Sequence, residues 1–182
     1  MRPSRIQNDN GRQVEHRNDN PGGSPEAVDV SLREVMACFP TGVTIVSTRD
    51  HDGVPRGLTV NAFTSVSLNP PLVLVCVGRD AKSHDQIIKA DGFVINVLSA
   101  EQARLAERFA RYPSDGRFDG LAWDPAPSGH PVLEGSLAWL DCTAKEVISA
   151  GDHSIIIGQP NATASGTKAA LVFHQGTLGS IG

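Results

Sequence analysis

The stretch from Arg56 to Gly78, RGLTVNAFTSVSLNPPLVLVCVG, constrains the fold more than any other part of the chain. Its second half, Leu72 to Val77, is an unbroken apolar run of the length a buried strand takes. Its first half interleaves Val60, Ala62, Phe63 and Val66 with the small polar residues Thr59, Asn61, Thr64, Ser65 and Ser67. Two neighbouring strands joined through the double proline Pro70–Pro71 are predicted. The hydroxyl-bearing half has two readings. Thr and Ser suit the wet face of any half-exposed strand. A strand that is small and polar on one side and anchored in a core on the other also lets main-chain N–H groups approach a flat, polar ring. The apolar interleaving favours such a groove.

Around this stretch the pattern is one of short strands. Gly42–Thr48 reads as a strand, Asp50–Gly53 as a turn and Val54–Ala62 as the returning strand. Gly92–Leu98, Ser136–Ser149, Ser154–Ala162 and Ala170–His174 add further strands. Three short helices are predicted, each from a Ser followed three residues later by Glu or Gln. Ser31 with Glu34 opens the first, where Leu32, Val35, Met36 and Phe39 recur at helical spacing before Pro40. Ser83 with Gln86 opens the second, running to Ala90. Ser99 with Gln102 opens the third, running to about Arg111 with Leu105 and Phe109 as its buried stripe. Tyr112–Gly135 is Pro- and Gly-rich, an irregular connection long enough to suggest function or an interface. About seven strands joined by hairpins argue for an antiparallel barrel, and without a GxGxxG turn a dinucleotide-binding parallel sheet is disfavoured.

With 182 residues the chain is long enough for one domain with a substantial core. Residues 1–28, rich in Asn, Asp, Arg, Gln, Gly and Pro, have almost nothing to bury and read as a disordered tail, with the domain over 29–182. A net charge of −4 provides no footprint for nucleic acid. No apolar run approaches the roughly 20 residues that span a bilayer, and the N-terminus lacks a secretory h-region, so a cytoplasmic protein is expected. Cys38, Cys76 and Cys142 are far apart, lie in apolar settings and read as reduced thiols in or near the core. No metal-ligand spacing is present, and no metal site is expected.

Two segments have residues for chemistry. Arg79–Ser83 follows a buried strand and opens a helix, so free N–H groups, Lys82 and the Ser83 hydroxyl can hold a phosphate; Ser83 can equally be a plain cap and Lys82 a solvated turn residue. Gly151–Gln159, GDHSIIIGQ, places His153 at the mouth of another apolar strand. Asp152, His153 and Ser154 are adjacent on an extended chain and point to alternate sides, which excludes a hydrolytic triad built from them; no GxSxG elbow is present. A lone histidine at a strand end is also commonly just a hydrogen-bonded surface residue.

With FPTGVTIVST from Phe39, GLTVNAFTSVSLNPPLVLVCV from Gly57, AKSH from Ala81, GFVINVL from Gly92, GDHSIIIGQ from Gly151 and LVFH from Leu171, the chain resembles the short-chain flavin reductases, the reductase partners of two-component flavin monooxygenases. The resemblance covers about Leu32 to Gly176. It implies a mainly β fold, an antiparallel split β-barrel that binds FMN, with a few short helices. It also implies FMN or FAD together with NADH or NADPH, a homodimer, and a monooxygenase that receives the reduced flavin. The resemblance places the isoalloxazine ring against Val60, Asn61 and Ala62 and near Ser65, Cys76 and Val77, with Thr41, Thr59, Val66 and Ser67 also among the flavin-binding residues. Ala81, Lys82 and Ser83 take the ribityl phosphate, and Gly151, Asp152 and His153 face the nicotinamide. A flavin-binding module without catalysis, or an oxidase of another substrate on the same barrel, are the other classes open to this pattern. Two departures from the family pattern stand out. Pro160 follows Gln159, which predicts an edge or a bulge there, and Gln175–Gly179 lacks the arginine–tyrosine pair common after LVFH.

Overall fold

The computed structural model describes residues 31–182; the tail expected over residues 1–28 lies outside the described residues. In chain order the elements are α1 (Leu32–Ala37), β1 (Thr41–Gly42), β2 (Thr44–Arg49), β3 (Pro55–Val60), β4 (Phe63–Leu68), β5 (Pro71–Gly78) and α2 (His84–Ile88). After them come β6 (Gly92–Val97), a 3-10 turn (Ala100–Gln102) continuing into α3 (Ala103–Arg111), β7 (Trp123–Pro125) and β8 (Pro131–Leu133). The chain then runs through β9 (Ala138–Ala150), β10 (His153–Ser165), β11 (Ala170–His174) and β12 (Thr177–Ile181).

Seven strands pair antiparallel in the order β3-β2-β6-β9-β10-β5-β4. Consecutive strands β3 and β4 therefore sit at opposite edges of the sheet, yet only Asn61 and Ala62 lie between them. Laid flat, six strand spacings would separate these edges by about 29 Å, while two residues reach roughly 7 Å. The sheet has to curl until its edges meet, so a barrel follows from the topology. Its interior is filled by Val46, Leu58, Val60, Val73, Val75, Val77, Phe93, Ile95, Cys142 and Ile156. On β5 the alternation is clean: Val73, Val75 and Val77 point inward, while Leu72, Leu74 and Cys76 are half-buried on the other face.

A second core lies outside the barrel wall. Val43, Ile45, Leu98, Ala106, Phe109, Leu133 and Leu171 join the outer face of β2 to α3 and to the sheet β1-β11-β12. Because β2 serves both cores, Ile45 and Val46 are each fully buried. Phe109 also meets Phe118 edge-on, ring centroids 5.0 Å apart, which pins the start of the long connection.

Several expectations are corrected. The strand predicted over Val54–Ala62 ends at Val60, and the polar half of the opening stretch restarts as β4, so three strands stand where two were expected. The predicted connection Tyr112–Gly135 contains the small hairpin β7–β8, and β12 was not foreseen. The first helix forms, but Leu32, Val35, Met36 and Phe39 are exposed, and so is Cys38, expected in or near the core, because nothing among the described residues covers these side chains; Cys142 is buried as expected. Gln102 Oε1 accepts the Ser99 N–H at 3.0 Å, as its cap predicts. Ser83 makes no side-chain cap bond to α2, and Gln86 Oε1 has no partner, so the cap predicted there is absent. At Pro160 the expectation of a bulge holds: the β9–β10 register shifts between Pro160 and Ala162, beyond the end of the β5 pairing at Gly158.

Candidate functional site

Where the barrel closes, Asn61 and Ala62 belong to neither ladder and are exposed. The break is nevertheless fixed: Phe63 N–H donates to Asn61 O at 3.1 Å and Cys76 N–H to Ala62 O at 2.9 Å. Beside it lies a cavity of about 550 Å³ whose wall includes Thr59, Asn61, Ala106, Arg111, Phe173 and Thr177. Thr59 shapes that wall by donating its hydroxyl to the Ala106 carbonyl of α3 at 2.7 Å. Thr41 stands opposite Phe173 in the β1–β11 register, and its Oγ1 is sealed without a hydrogen-bond partner. Thr41 is set one strand behind Phe173 of the cavity wall, and a buried hydroxyl without a partner is a group that a polar ligand can satisfy. The wall from α3 and from the β11–β12 turn was not legible in the sequence; the arginine–tyrosine pair is missing, but the C-terminal hairpin still reaches the site through Gly176, Thr177 and Leu178.

The other residues expected around the ring divide by environment. Val60 and Val77 point into the barrel core, so only their main chain is available to a ligand. Cys76 is half-buried and pairs with Ile155. Ser65 and Val66 are exposed on β4, where a register shift between Ser65 and Ser67 breaks the alternation; Ser67 is half-buried. Ser65, Val66, Ser67 and Cys76 lie on β4 and β5, outside the cavity wall.

The segment expected to face the nicotinamide is the tight β9–β10 hairpin, with Gly151 at φ +59°, a conformation that favours glycine. His153 begins β10 opposite Gly78. Its Nδ1 bonds Asp152 Oδ1 at 2.7 Å, which holds the Asp152 carboxyl below the usual carboxylate range. A Cβ on Gly78 would stand at ordinary contact distance, 3.7 Å, from His153 Nε2 and 3.0 Å from Oδ1 of the exposed Asp80, so the imidazole lies directly against the end of β5. Arg79 ties the hairpin back, its N–H donating to Asp152 O at 2.9 Å and its guanidinium bonding Ser149. Ser154 turns to the other side and pairs with His84 Nε2 at 2.9 Å, not with His153.

The expected phosphate turn is less open than its sequence suggests. Lys82 is exposed, Ala81 packs against the barrel core, and Ser83 is fully buried. The Ser83 hydroxyl donates to Gly57 O at 3.2 Å and accepts from Arg117 Nη1 at 3.3 Å. Arg117 was not foreseen as a site residue; the only signals were its place in the long connection and the neighbouring Phe118. From Gly57, where this turn docks, to Asn61 is four residues, about 13 Å of extended strand. Elsewhere, Asp50, His51 and Asp52 bring ligand atoms within 4.8 Å of one another, but Asp50 is already held by Arg56 at 2.8 Å.

Residues 36–182 match the family described as flavin reductase like domain. The reductase subunit of the stachydrine N-demethylase of Rhizobium meliloti (strain 1021) is 41% identical over 146 residues, covering 80% of this chain and 63% of that protein. A flavin reductase of Pseudomonas putida is 41% identical over 151 residues, 82% of this chain and 88% of its own length. Among solved structures, the NADH:FAD oxidoreductase of Streptomyces globisporus C-1027, in complex with NAD and FAD fragments, superposes with a TM-score of 0.77 at 37% identity. That match covers 83% of this chain and 91% of the other. The chain spans between 42% and 63% of the length of three of the curated relatives it matches.

Proposed function

The chain belongs to the flavin reductase like family, and from that premise we propose that it is an NAD(P)H:flavin oxidoreductase. It reduces FMN or FAD by hydride transfer and supplies the reduced flavin to a partner monooxygenase. The observation that carries this reading is the cavity at the barrel's closing edge, walled by Thr59 and Asn61 and flanked by the partnerless Thr41 hydroxyl. The stachydrine relative, a reductase subunit, and the nicotinamide- and flavin-bearing neighbour support it.

When bound, the flavin supplies the ring that accepts a hydride from the nicotinamide. The protein's own part is binding and placement. Asn61 and Ala62, outside both ladders, present main-chain N–H groups where negative charge on a bound ring is stabilised. Thr41 offers the remaining polar contact, and the turn Ala81–Ser83 takes the phosphate end. Gly151, Asp152 and His153 hold the nicotinamide at the end of β5. Ser65, Val66, Ser67 and Cys76 border the ring from β4 and β5. No protein nucleophile is required. The purified protein is expected to oxidise NADH or NADPH only when flavin is supplied or retained. Absorbance at 340 nm with FMN, FAD, riboflavin or no flavin decides it; no turnover with any flavin and either nicotinamide overturns the reading.

The reading includes a C2 homodimer, the commonest closed symmetry. Leu32, Val35, Met36 and Phe39 around α1, Val66 and Leu68 on β4, and Val147 and Ile148 on β9 are exposed apolar side chains that a second copy would cover. Light scattering is expected to report twice the chain mass, before and after removal of residues 1–28, with activity intact in both. A monomer that still reduces flavin sinks the assembly. A cytoplasmic location accompanies this reading: Cys38, Cys76 and Cys142 are unpaired thiols. Among the described residues no helix is long and apolar enough to cross a membrane.

A further inference from the structure

His84 and Ser154 are buried polar side chains, 7% and 5% exposed, to which the function proposed above gives no task. His84 opens α2, and Ser154 is the second residue of β10. His84 Nε2 and Ser154 Oγ meet at 2.9 Å, and on the other side of the ring His84 Nδ1 lies 3.0 Å from Asp85 Oδ1. The bond from the imidazole, with a further one from Lys89, holds the Asp85 carboxyl below the usual carboxylate range. Asp85 is therefore the acceptor, and Nδ1 carries the proton between them. In the neutral ring this leaves Nε2 to accept the Ser154 hydroxyl.

Hydroxyl, imidazole and carboxylate stand in the order of a hydrolytic triad, but the serine is sealed. It lines neither the cavity at the closing edge nor the smaller one beneath Leu105 and Leu121, so no substrate reaches it. What the bond does is mechanical. Successive residues of β10 point to opposite sides: Ser154 turns inward to α2, and His153 turns outward, half-exposed. Holding Ser154 from within fixes the rotation of the strand's first residues, and with it the direction in which His153 leaves the chain. Asp152 gives no comparable anchor from outside, since its side chain is 95% exposed. Helix α2 is itself fixed. Ile87 sits in the barrel core, and the Ser83 hydroxyl donates to Gly57 O at 3.2 Å. A continuous bridge thus runs from β3 through α2 to β10, joining the turn Ala81–Ser83 to the hairpin Gly151–His153.

We propose that His84 is a positioning residue for the hydride donor, acting through Ser154 to set His153 at the nicotinamide end of the site. The inference rests on the reading above, in which the β9–β10 hairpin takes the nicotinamide. Hydride transfer depends steeply on the placement of the two reacting atoms, and a small rotation at the start of β10 misdirects the donor without touching the flavin. A bond between two buried side chains on different elements suits that task, because each element is already anchored in the core.

The test separates positioning from stability on the full chain. Ser154→Ala leaves His84 Nε2 buried without a partner and is expected to lower the melting temperature. Replacing both partners, His84→Leu with Ser154→Ala, removes the unpaired group and should return the melting temperature toward that of the native chain. The NADH kcat/KM of this double variant should nevertheless stay down by about threefold to tenfold, with FMN affinity by fluorescence quenching within about twofold of native. Adding His153→Ala to the double variant should cost no more than His153→Ala alone, because the bridge acts through that residue. If the double variant does not fold, His84→Gln answers in its place: its amide reaches toward Ser154, and it should keep the NADH kcat/KM within about twofold of native while Ser154→Ala loses it. A double variant that regains both stability and the native NADH kcat/KM overturns the proposal, as do equal losses for FMN and NADH, or losses that add to those of His153→Ala. A native chain that binds FMN but transfers no hydride from NADH or NADPH sinks the flavin reductase reading, and this inference with it.

Discussion

Gly57→Ala is expected to lower the melting temperature by about 2–12 °C, and to weaken FMN binding with it. An added Cβ at this position would stand 2.8 Å from the Val46 carbonyl oxygen and 3.1 Å from the Phe109 ring. Neither neighbour can give way cheaply. The carbonyl belongs to β2, the adjacent strand in the ladder, and Phe109 is fully buried and wedged edge-on against Phe118. Strand β3 has to move off β2, and overpacking of this kind costs about 1–3 kcal/mol, or roughly 2–4 °C for each kcal/mol in a chain of this size. The displacement carries the Gly57 carbonyl away from Ser83 and Arg117, loosening the phosphate end of the site in the same step. Gly42→Ala is the control. Nothing lies within 4 Å of its added Cβ, its φ is not in the left-handed region, and a change within about ±0.5 kcal/mol is expected. Thermal denaturation followed by circular dichroism compares the two. Equal melting curves for Gly57→Ala and the native chain would show that β3 is free to shift, and the tight β3–β2 docking argued here would fail.

What could be read in advance, and what could not, follows from which interactions decide each element. Strands β5, β6, β10 and β11 are apolar runs bounded by turn residues, and their burial is written locally. The break at Asn61–Ala62 is not. The alternation of small and apolar residues continues through it, and only the closure of a seven-stranded sheet on itself requires the chain to leave one edge and enter the other there. The Ser83–Gln86 spacing is a sound capping signal overridden by tertiary contacts, because Gly57 and Arg117 draw the serine hydroxyl inward. Arg117 itself resembles any solvated arginine in a Pro- and Gly-rich connection until the Phe118–Phe109 contact folds that connection back over β3. The cavity wall from α3 and the β11–β12 turn was hidden for the same reason: Ala106, Phe173 and Thr177 are ordinary in sequence and meet only in space. The place of Gly151–His153 in the fold was legible, since the glycine and the histidine at the strand mouth are a turn and its neighbour.

His153→Ala is expected to raise the apparent KM for NADH by about tenfold or more while leaving FMN affinity nearly unchanged. The imidazole is half-exposed at the start of β10, held by Asp152 at 2.7 Å and set opposite Gly78 at the end of β5. It is thereby oriented toward the end of β5 without being sealed in the core. A hydride donor is not deprotonated during transfer, so no general base is called for, and the residue acts by placing the nicotinamide. Loss of a positioning contact of about 1.4 kcal/mol corresponds to a tenfold weaker encounter. A fall in kcat accompanies it to the extent that the donor carbon is misplaced, and the KM-against-kcat split reports that share. Asp152→Asn provides the second arm. It keeps the turn but removes the carboxylate that orients the ring, so it should move the NADH KM in the same direction by a smaller factor, again without touching FMN. Gly78→Ala is the control: its Cβ would sit at ordinary contact distance, 3.7 Å, from the imidazole and meet only the end of the exposed Asp80 side chain at 3.0 Å, so the NADH KM should stay close to that of the native chain. Flavin and NADH are titrated separately against each variant. If FMN binding collapses while the NADH KM stays where it was, the histidine belongs to the flavin end of the site, and the assignment of the β9–β10 hairpin to the nicotinamide is wrong.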